Sequence, residues 1–398
     1  MPTPRKYVIV LPDGATDEKL PQLGGRTPLE VARIPHMDWV AAHGELGRIV
    51  TIPPGFTPGT DVGTLTLLGY DPHRDYSGRA PIEACAKGLT AQPDQLIFRC
   101  NFVTIADGRM QDFTAGHIAQ AEADALVAAL NDALGGDGCS FHAGVSYRNL
   151  MLLAHAADLT LACAPPHDIP DQPVADHPPR GAGAERVVEI MRRARAVIAR
   201  HPVNAARRAA GRDPVTDIWL WGQGRPTRLE PFVEKYGVRA AAITAVDIIR
   251  GMAVATGMDL IAVPGATGYI DTDYDAKGRA AVAALDRYDC VLVHVEAADE
   301  AGHLGDAGEK VKALERIDEA VVGPLLAALQ RYPAWRILVA PDHPTPASTK
   351  AHSAVPPHYA FAGDGVAPAG GPRFTEDAAL ATGRLEQAGH TLLARFFG

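Results

Sequence analysis

Cysteine is scarce in this chain: five residues in 398, Cys85, Cys100, Cys139, Cys163 and Cys290, scattered and without a C-x-x-C pair. That usage argues against a disulfide scaffold and suits a reducing cytoplasm. No stretch approaches the roughly eighteen apolar residues that a bilayer crossing needs. The apolar run that follows the charged start, Tyr7–Leu11, is five residues long and too short for a signal peptide. There is no long block of one charge sign. The formal net charge is −9, which argues against nucleic-acid binding as the primary role. The arginines between Arg186 and Arg212 read as a solvated helix face. A G-x-x-x-x-G-K-[ST] loop is missing, as is any internal repeat of fixed period. What is present is ordinary for a folded protein, 47% apolar and 21% charged residues, at a length that allows one to three domains.

Short apolar runs alternate with helical periodicity over much of the chain. Tyr7–Leu11 and Ile337–Ala340 read as buried strands, Cys290–Val295 as a further strand, and Leu260–Val263 as an apolar run before a turn. Thr27 as N-cap, Pro28 at the first helical position and Glu30 three residues after the cap mark a helix start, and Pro35 divides that helix. From about residue 85 the texture changes: Leu96–Thr104 alternates as a half-buried strand, an Ala-rich helix covers 119–134, and another helix covers 185–200. The Pro-rich run 165–179 reads as a substrate-facing loop, because charged and apolar residues interrupt it. Core texture returns with the strand Asp217–Trp221. The predicted fold is α/β, a mainly parallel sheet with helices on both faces, built from residues 1–84 and 211–398, with an inserted α+β cap over 85–210.

Three of the predicted core strands lead into acids, Asp13, Asp299 and Asp342. His303 follows Asp299 by four residues, His343 follows Asp342 directly, and His352 lies nine further on. Parallel strands present their carboxyl ends at one sheet edge, so these six side chains can meet there. Taken singly, each also suits a turn; the triple occurrence points to metal. A mixed carboxylate–imidazole set suits two transition-type cations, Zn or Mn, whereas an all-oxygen shell would favour Mg or Ca. The Gly- and Pro-rich loop 53–61 leads into a helix that begins near Thr60, where free N–H groups favour an anion. Thr60 reads equally as an N-cap and, beside bound metals, as a nucleophile for phosphoryl transfer.

With those residues in view, a resemblance appears. Pro58-Gly-Thr-Asp-Val-Gly-Thr-Leu-Thr-Leu-Leu-Gly-Tyr-Asp-Pro72, Tyr76-Ser-Gly-Arg-Ala-Pro-Ile-Glu-Ala84, the Asp299/His303 pair and Lys350-Ala-His-Ser353 resemble archaeal-type cofactor-independent phosphoglycerate mutases, of the alkaline phosphatase superfamily. Phe98-Arg-Cys-Asn-Phe102, Ala115-Gly-His-Ile118, Gly144-Val-Ser-Tyr-Arg148, Pro166-His-Asp168 and Trp219-Leu-Trp-Gly-Gln-Gly224 are similar to a branch also labelled proposed homoserine kinase. The resemblance implies one cation held by Asp299, His303 and His352 and another by Asp13, Thr60, Asp342 and His343. It also implies that Thr60, where most relatives have Ser, is phosphorylated and returns the group to a different hydroxyl of the same acid. The segment Ser353-Ala-Val-Pro-Pro-His358 departs from the family pattern, and His358 reads as a surface histidine.

A phosphorylated acid needs cations for its phosphate and carboxylate, and Arg pairs bidentately with both. Arg79 is the first candidate, followed by His117, Arg148, His167, Asp168 and Lys350, with Arg99 and Arg207 behind them. Each also suits an internal ion pair. The expected reaction is the interconversion of 3-phosphoglycerate and 2-phosphoglycerate with two divalent cations, Mn or Zn first and Mg as the alternative. Transfer to another small alcohol such as homoserine, and metal-dependent phosphatase activity, are the competing readings. The expected partner is a small phosphorylated acid, with neither nucleic acid nor membrane involved.

Overall fold

A strand covered on both faces needs apolar residues at every position rather than at alternate ones, and β1 (Lys6–Pro12) meets that demand, with every residue after Lys6 buried. The computed structural model describes residues 5–369 and 371–398, the side chain of Asp137 excepted. In chain order the further strands are β2 (Gly44–Ile49), β3 (Leu96–Ala106), β4 (Arg109–Asp112), β5 (Cys139–Val145), β6 (Arg148–Leu153), β7 (Thr160–Ala162), β8 (Arg180–Ala182), β9 (Asp217–Gly224), β10 (Ala240–Ile243), β11 (Asp259–Leu260), β12 (Cys290–Val295), β13 (Trp335–Val339), β14 (His358–Gly363) and β15 (Leu385–Glu386). They fall into two compact units. One runs to Tyr76 and resumes at Arg228; the other is Ser77–Thr227.

The first unit is built on one eight-stranded sheet in the order β11-β10-β12-β1-β13-β14-β2-β15. From β11 to β13 the strands are parallel, and β14 runs against both of its neighbours. Leu11 pairs with His294 and Pro12 with Val295, while Val10 pairs with Val339. The carboxyl ends of β12, β1 and β13 therefore lie side by side, and the segments leaving them share one edge. Val8, Val10, Val291, Val293, Ile337 and Val339 point into one buried cluster with the covering helices. The predicted capping box is present: Glu30 Oε2 accepts the Thr27 N–H at 2.8 Å, and Thr27 Oγ1 accepts the Glu30 N–H at 3.2 Å. A new helix starts at Pro35. A long helical stretch begins at Ala307 and carries a π-turn over Asp318–Val322. Pro324 has no N–H for the carbonyl four residues back, which fits a local loosening of the ladder there.

The second unit holds an antiparallel sheet, β4-β3-β6-β5, with β9 on β3, and a separate β7–β8 pair. Helices Gln120–Leu134 and Ala184–Arg200 bury Leu126, Leu130, Val187 and Ile198 against it. β9, predicted to belong with the core strands, pairs with β3 instead, Trp219 opposite Asn101 and Trp221 opposite Arg99. An apolar run looks the same whichever sheet it joins, and only its partner decides. Arg207 also departs from the solvated face expected of 186–212. It is 1% exposed and donates to Glu122 Oε2, Asp213 O and Ala115 O, each within 2.8 Å. Among the described residues no helix is long and apolar enough to cross a membrane.

Candidate active site

The site lies wholly in the first unit, beyond the carboxyl ends of β1, β12 and β13. Asp13 follows β1 directly and is fully buried. Gly14 turns the chain with φ +59°, and a Cβ there would come within 2.6 Å of Asp299 Oδ1. Only glycine allows that turn and that approach together. Asp342 is also fully buried. Its Oδ1 accepts the N–H groups of Gly14 (3.4 Å) and His343 (3.1 Å), and its Oδ2 accepts the Thr64 hydroxyl (3.2 Å). Nε2 of buried His343 stands 3.5 Å from Asp13 Oδ1 and 3.5 Å from Asp342 Oδ2.

Thr60 is the first residue of the helix Thr60–Leu67, and Gly59 occupies the cap position. The threonine side chain is thus not the N-cap; its Oγ1 lies 3.2 Å from His343 Nε2. Gly63, one turn on, lets the helix press against the Asp342 loop, since a Cβ there would sit 2.6 Å from the Asp342 carbonyl.

Asp299 does not end a strand, as the sequence pattern suggested. β12 stops at Val295, and Asp299 occupies the first turn of the helix Ala297–Leu304. The i, i+4 spacing then brings His303 to the same helical face, with Nε2 3.1 Å from Asp299 Oδ2. His352 Nε2 lies 3.4 Å from Asp299 Oδ1 and 2.9 Å from His303 Nε2. Thr345 donates to Asp299 Oδ1 at 2.5 Å, and His303 Nδ1 faces the Lys350 carbonyl at 3.0 Å. Among the described residues three groups have ligand atoms within 4.8 Å of one another: Asp299–His343–His352, Asp13–Asp342–His343, and Asp13–His294–Glu296.

The electrostatics are those of a cation site. Burial, reinforced by the charges of Asp342, Glu296 and Asp299, pushes the Asp13 carboxyl well above its usual range. Burial works against the Asp299 charge too, but hydrogen bonds from His303 and His352 hold that carboxyl well below the usual range. The Asp299 carboxylate raises His303 to about 9, against its desolvation, while burial lowers His343. Asp13 Oδ1 and Glu296 Oε2 are buried without hydrogen-bond partners. Carboxylate oxygens are seldom left so unless a cation offsets their burial. The mixed nitrogen and oxygen donors of this set fit divalent transition-type cations.

His294, Glu296 and Thr345 escaped the sequence reading. A histidine inside the otherwise apolar run Cys290–Val295, followed by an acid, was the available signal for the first two. His358 was misplaced as a surface residue. It is 1% exposed in β14, Nδ1 3.2 Å from Thr16 Oγ1 and its ring against Phe374, and burial lowers its pKa to about 3. Its neighbours in β14 are core strands, and nothing in the local sequence announces that.

The other candidate residues are distributed differently. Lys350 is an exposed residue of the first unit with φ +57°. In the second unit Arg79 opens the helix Arg79–Ala86 and pairs with Glu83 at 3.0 Å. Glu83 also meets buried Arg99, whose guanidinium lies 4.3 Å from the Trp221 ring centre. His117 and Arg148 are exposed and share Tyr147, at 6.0 and 5.1 Å from its ring centre. Exposed His167 packs edge-on to Trp221 at 5.0 Å, with Asp168 3.7 Å away.

The family profile of 2,3-bisphosphoglycerate-independent phosphoglycerate mutase matches residues 41–204. A protein of that name from Methanothrix thermoacetophila is 48% identical over 362 residues, which is 91% of each chain. A 2,3-bisphosphoglycerate-independent phosphoglycerate mutase 2 from Methanothermobacter thermautotrophicus is 49% identical over 91% of this chain and 89% of its own. Among solved structures, a protein from Pyrococcus horikoshii matches with a TM-score of 0.82 and 29% identity, over 99% of this chain and 97% of that one. The cofactor-independent phosphoglycerate mutase from Thermoplasma acidophilum matches with a TM-score of 0.67 and 26% identity, over 98% of both chains.

Proposed function

The chain belongs to the family of 2,3-bisphosphoglycerate-independent phosphoglycerate mutases, and from that premise we propose that it interconverts 3-phosphoglycerate and 2-phosphoglycerate through a phosphothreonine at Thr60. The observation that carries the residue assignment is the placing of Thr60 Oγ1. It stands at a helix N-terminus, 3.2 Å from His343, whose Nε2 faces both Asp13 and Asp342. In the forward direction Thr60 Oγ1 attacks phosphorus. The new O–P bond forms as the bond to the 3-oxygen of glycerate breaks, and the threonine proton passes to that oxygen. The 2-hydroxyl of the same glycerate then takes the phosphoryl group from Thr60, and its proton returns to the threonine. No second phosphorylated compound enters the balance.

In this reading Asp299, His303 and His352 hold one divalent cation, and Asp13, Thr60, Asp342 and His343 hold another, with Mn or Zn favoured over Mg by the imidazoles. Such cations would ease loss of the Thr60 proton and offset the charge of the phosphoryl group. The free N–H groups at the start of the helix Thr60–Leu67 add to that offset. Substrate binding falls to Arg79, to His117, Arg148, His167 and Asp168 of the inserted cap domain, and to Lys350. Arginine suits both the phosphate and the carboxylate of the substrate, and the exposure of His117 and Arg148 leaves them accessible to it.

Phosphorus NMR of the purified protein with manganese and 3-phosphoglycerate tests this. A new 2-phosphoglycerate signal is the expected result. Release of inorganic phosphate would mean a phosphatase. An unchanged spectrum that moves only when another small alcohol, such as homoserine, is added would mean a transferase.

A further inference from the structure

Asp13, His294 and Glu296 have the donor atoms of a metal site, yet of the three only Asp13 belongs to the proposed pair of cations. We propose that this cluster is not a third cation site but a positioning unit, in which His294 orients the Asp13 carboxylate and the Lys277 ammonium fills the role that a third cation would have. The inference rests on the two-cation reading above.

The ring of His294 is held from both ends. Its Nδ1 lies 3.1 Å from Thr244 Oγ1, and that oxygen already accepts the Val246 N–H at 3.1 Å. A carboxylate oxygen only accepts, so Nε2, 2.8 Å from Asp13 Oδ2, carries the ring proton, and Nδ1 is left to accept from the Thr244 hydroxyl. Nε2 points at Asp13 Oδ2 (2.8 Å) and Glu296 Oε2 (3.3 Å). A nitrogen that donates a proton there cannot also ligate a metal. His294 sits in a central strand and is fully buried, so the ring has no room to swing.

The cation of the cluster is built in. Lys277, on the helix Tyr274–Ala284, is fully buried, and its Nζ donates to the His294 carbonyl at 3.2 Å. Burial lowers the Lys277 pKa to about 8, and the charge of Glu296 opposes that shift. The consequence reaches the site through Asp13. With Oδ2 engaged by His294, Oδ1 is left without a hydrogen-bond partner, 3.5 Å from His343 Nε2, and is free to face a metal.

The test is elemental analysis of protein equilibrated with graded free Mn, reading both the number of ions and their affinities. Wild type should hold two per chain. His294→Ala should weaken one of the two by about 10–100-fold, the usual effect of losing a group that orients a ligand, and leave the other unchanged. His294→Asn, which keeps a side-chain N–H donor, should recover most of the loss. Lys277→Met should gain a third, weaker ion. Three ions in wild type, full affinity in His294→Ala, or a count of two in Lys277→Met would each overturn the proposal. If His294→Ala does not fold, the wild-type count, His294→Asn and Lys277→Met still decide. Zero ions in wild type would instead remove the two-cation reading itself, and this inference with it.

Discussion

The two units carry their charged side chains in opposite ways. In the first, Asp13, Asp342, His343 and His294 are fully buried and packed against one another, and carboxylate oxygens remain without partners. In the second, the buried cations already have partners, Arg99 with Glu83 and Arg207 with Glu122, while His117, Arg148, His167 and Asp168 are exposed. A buried charge must be offset, so an excess of buried carboxylates points to a missing cation. An exposed charge carries no such obligation, because water satisfies it. Chemistry is therefore read more directly from the first unit than specificity is from the second.

The sharpest way to break this contrast is at Thr60. Thr60→Ala should lower turnover by on the order of 10⁴ or more, as removal of a nucleophile does, with little change in thermal unfolding because Gly59 holds the cap position. Thr60→Ser should keep activity. Mass spectrometry of acid-quenched enzyme with 3-phosphoglycerate should find phosphate on residue 60; unlabelled protein together with an active Thr60→Ala would end the covalent mechanism.

In the second unit the corresponding large effect falls on stability rather than chemistry. Arg207→Ala leaves Glu122 with Arg212 alone and takes the donor from the buried Ala115 carbonyl and from the Asp213 carbonyl. Losing those bonds costs about 1–3 kcal/mol, measurable by denaturant unfolding. A cost below about 1 kcal/mol would return Arg207 to the solvated class.

Exposed Arg148 should behave in the reverse manner. Arg148→Ala should raise KM about tenfold, equivalent to one charged hydrogen bond, with the melting temperature unchanged. Steady-state kinetics decide this, and an unaltered KM would take the residue out of substrate binding.

His358 offers a smaller effect, from a buried ionisable group outside the site. Its folded pKa is lowered from 6.5 to about 3 by burial. As the pH falls below 6.5 the unfolded chain takes up a proton that the fold refuses, so stability declines through the interval from about 6.5 toward 3. The slope is about 1.4 kcal/mol per pH unit for one proton. His358→Gln should flatten that part of the stability profile by this amount; an unchanged slope would mean that the ring protonates in place.

Several elements were legible because they depend on near neighbours in the chain. The Thr27–Glu30 capping box and the break at Pro35 are local geometry, and both appear as read. The six acids and histidines from Asp13 to His352 could be nominated because such residues beyond an apolar run are unusual wherever the run ends up. Asp299 was assigned to a strand end, although the i, i+4 spacing to His303 already matched a helix. His294, His358 and Arg207 were not legible, since each owes its burial to segments far away in sequence.

The sequence by itself therefore determined which chemical groups are available and the alternating pattern that places acids near one edge of a parallel sheet. That follows from periodicity and strand direction, which are local properties. Only the tertiary structure decided which sheet β9 joins, which atom of His294 carries its proton, and which oxygen of Asp13 is left unpartnered. Those outcomes depend on contacts such as Thr244 with His294 and Asp13 with His294, between residues 50 and 281 positions apart. Hydrogen-bond partners at that separation are set by packing, and a one-dimensional pattern does not contain them.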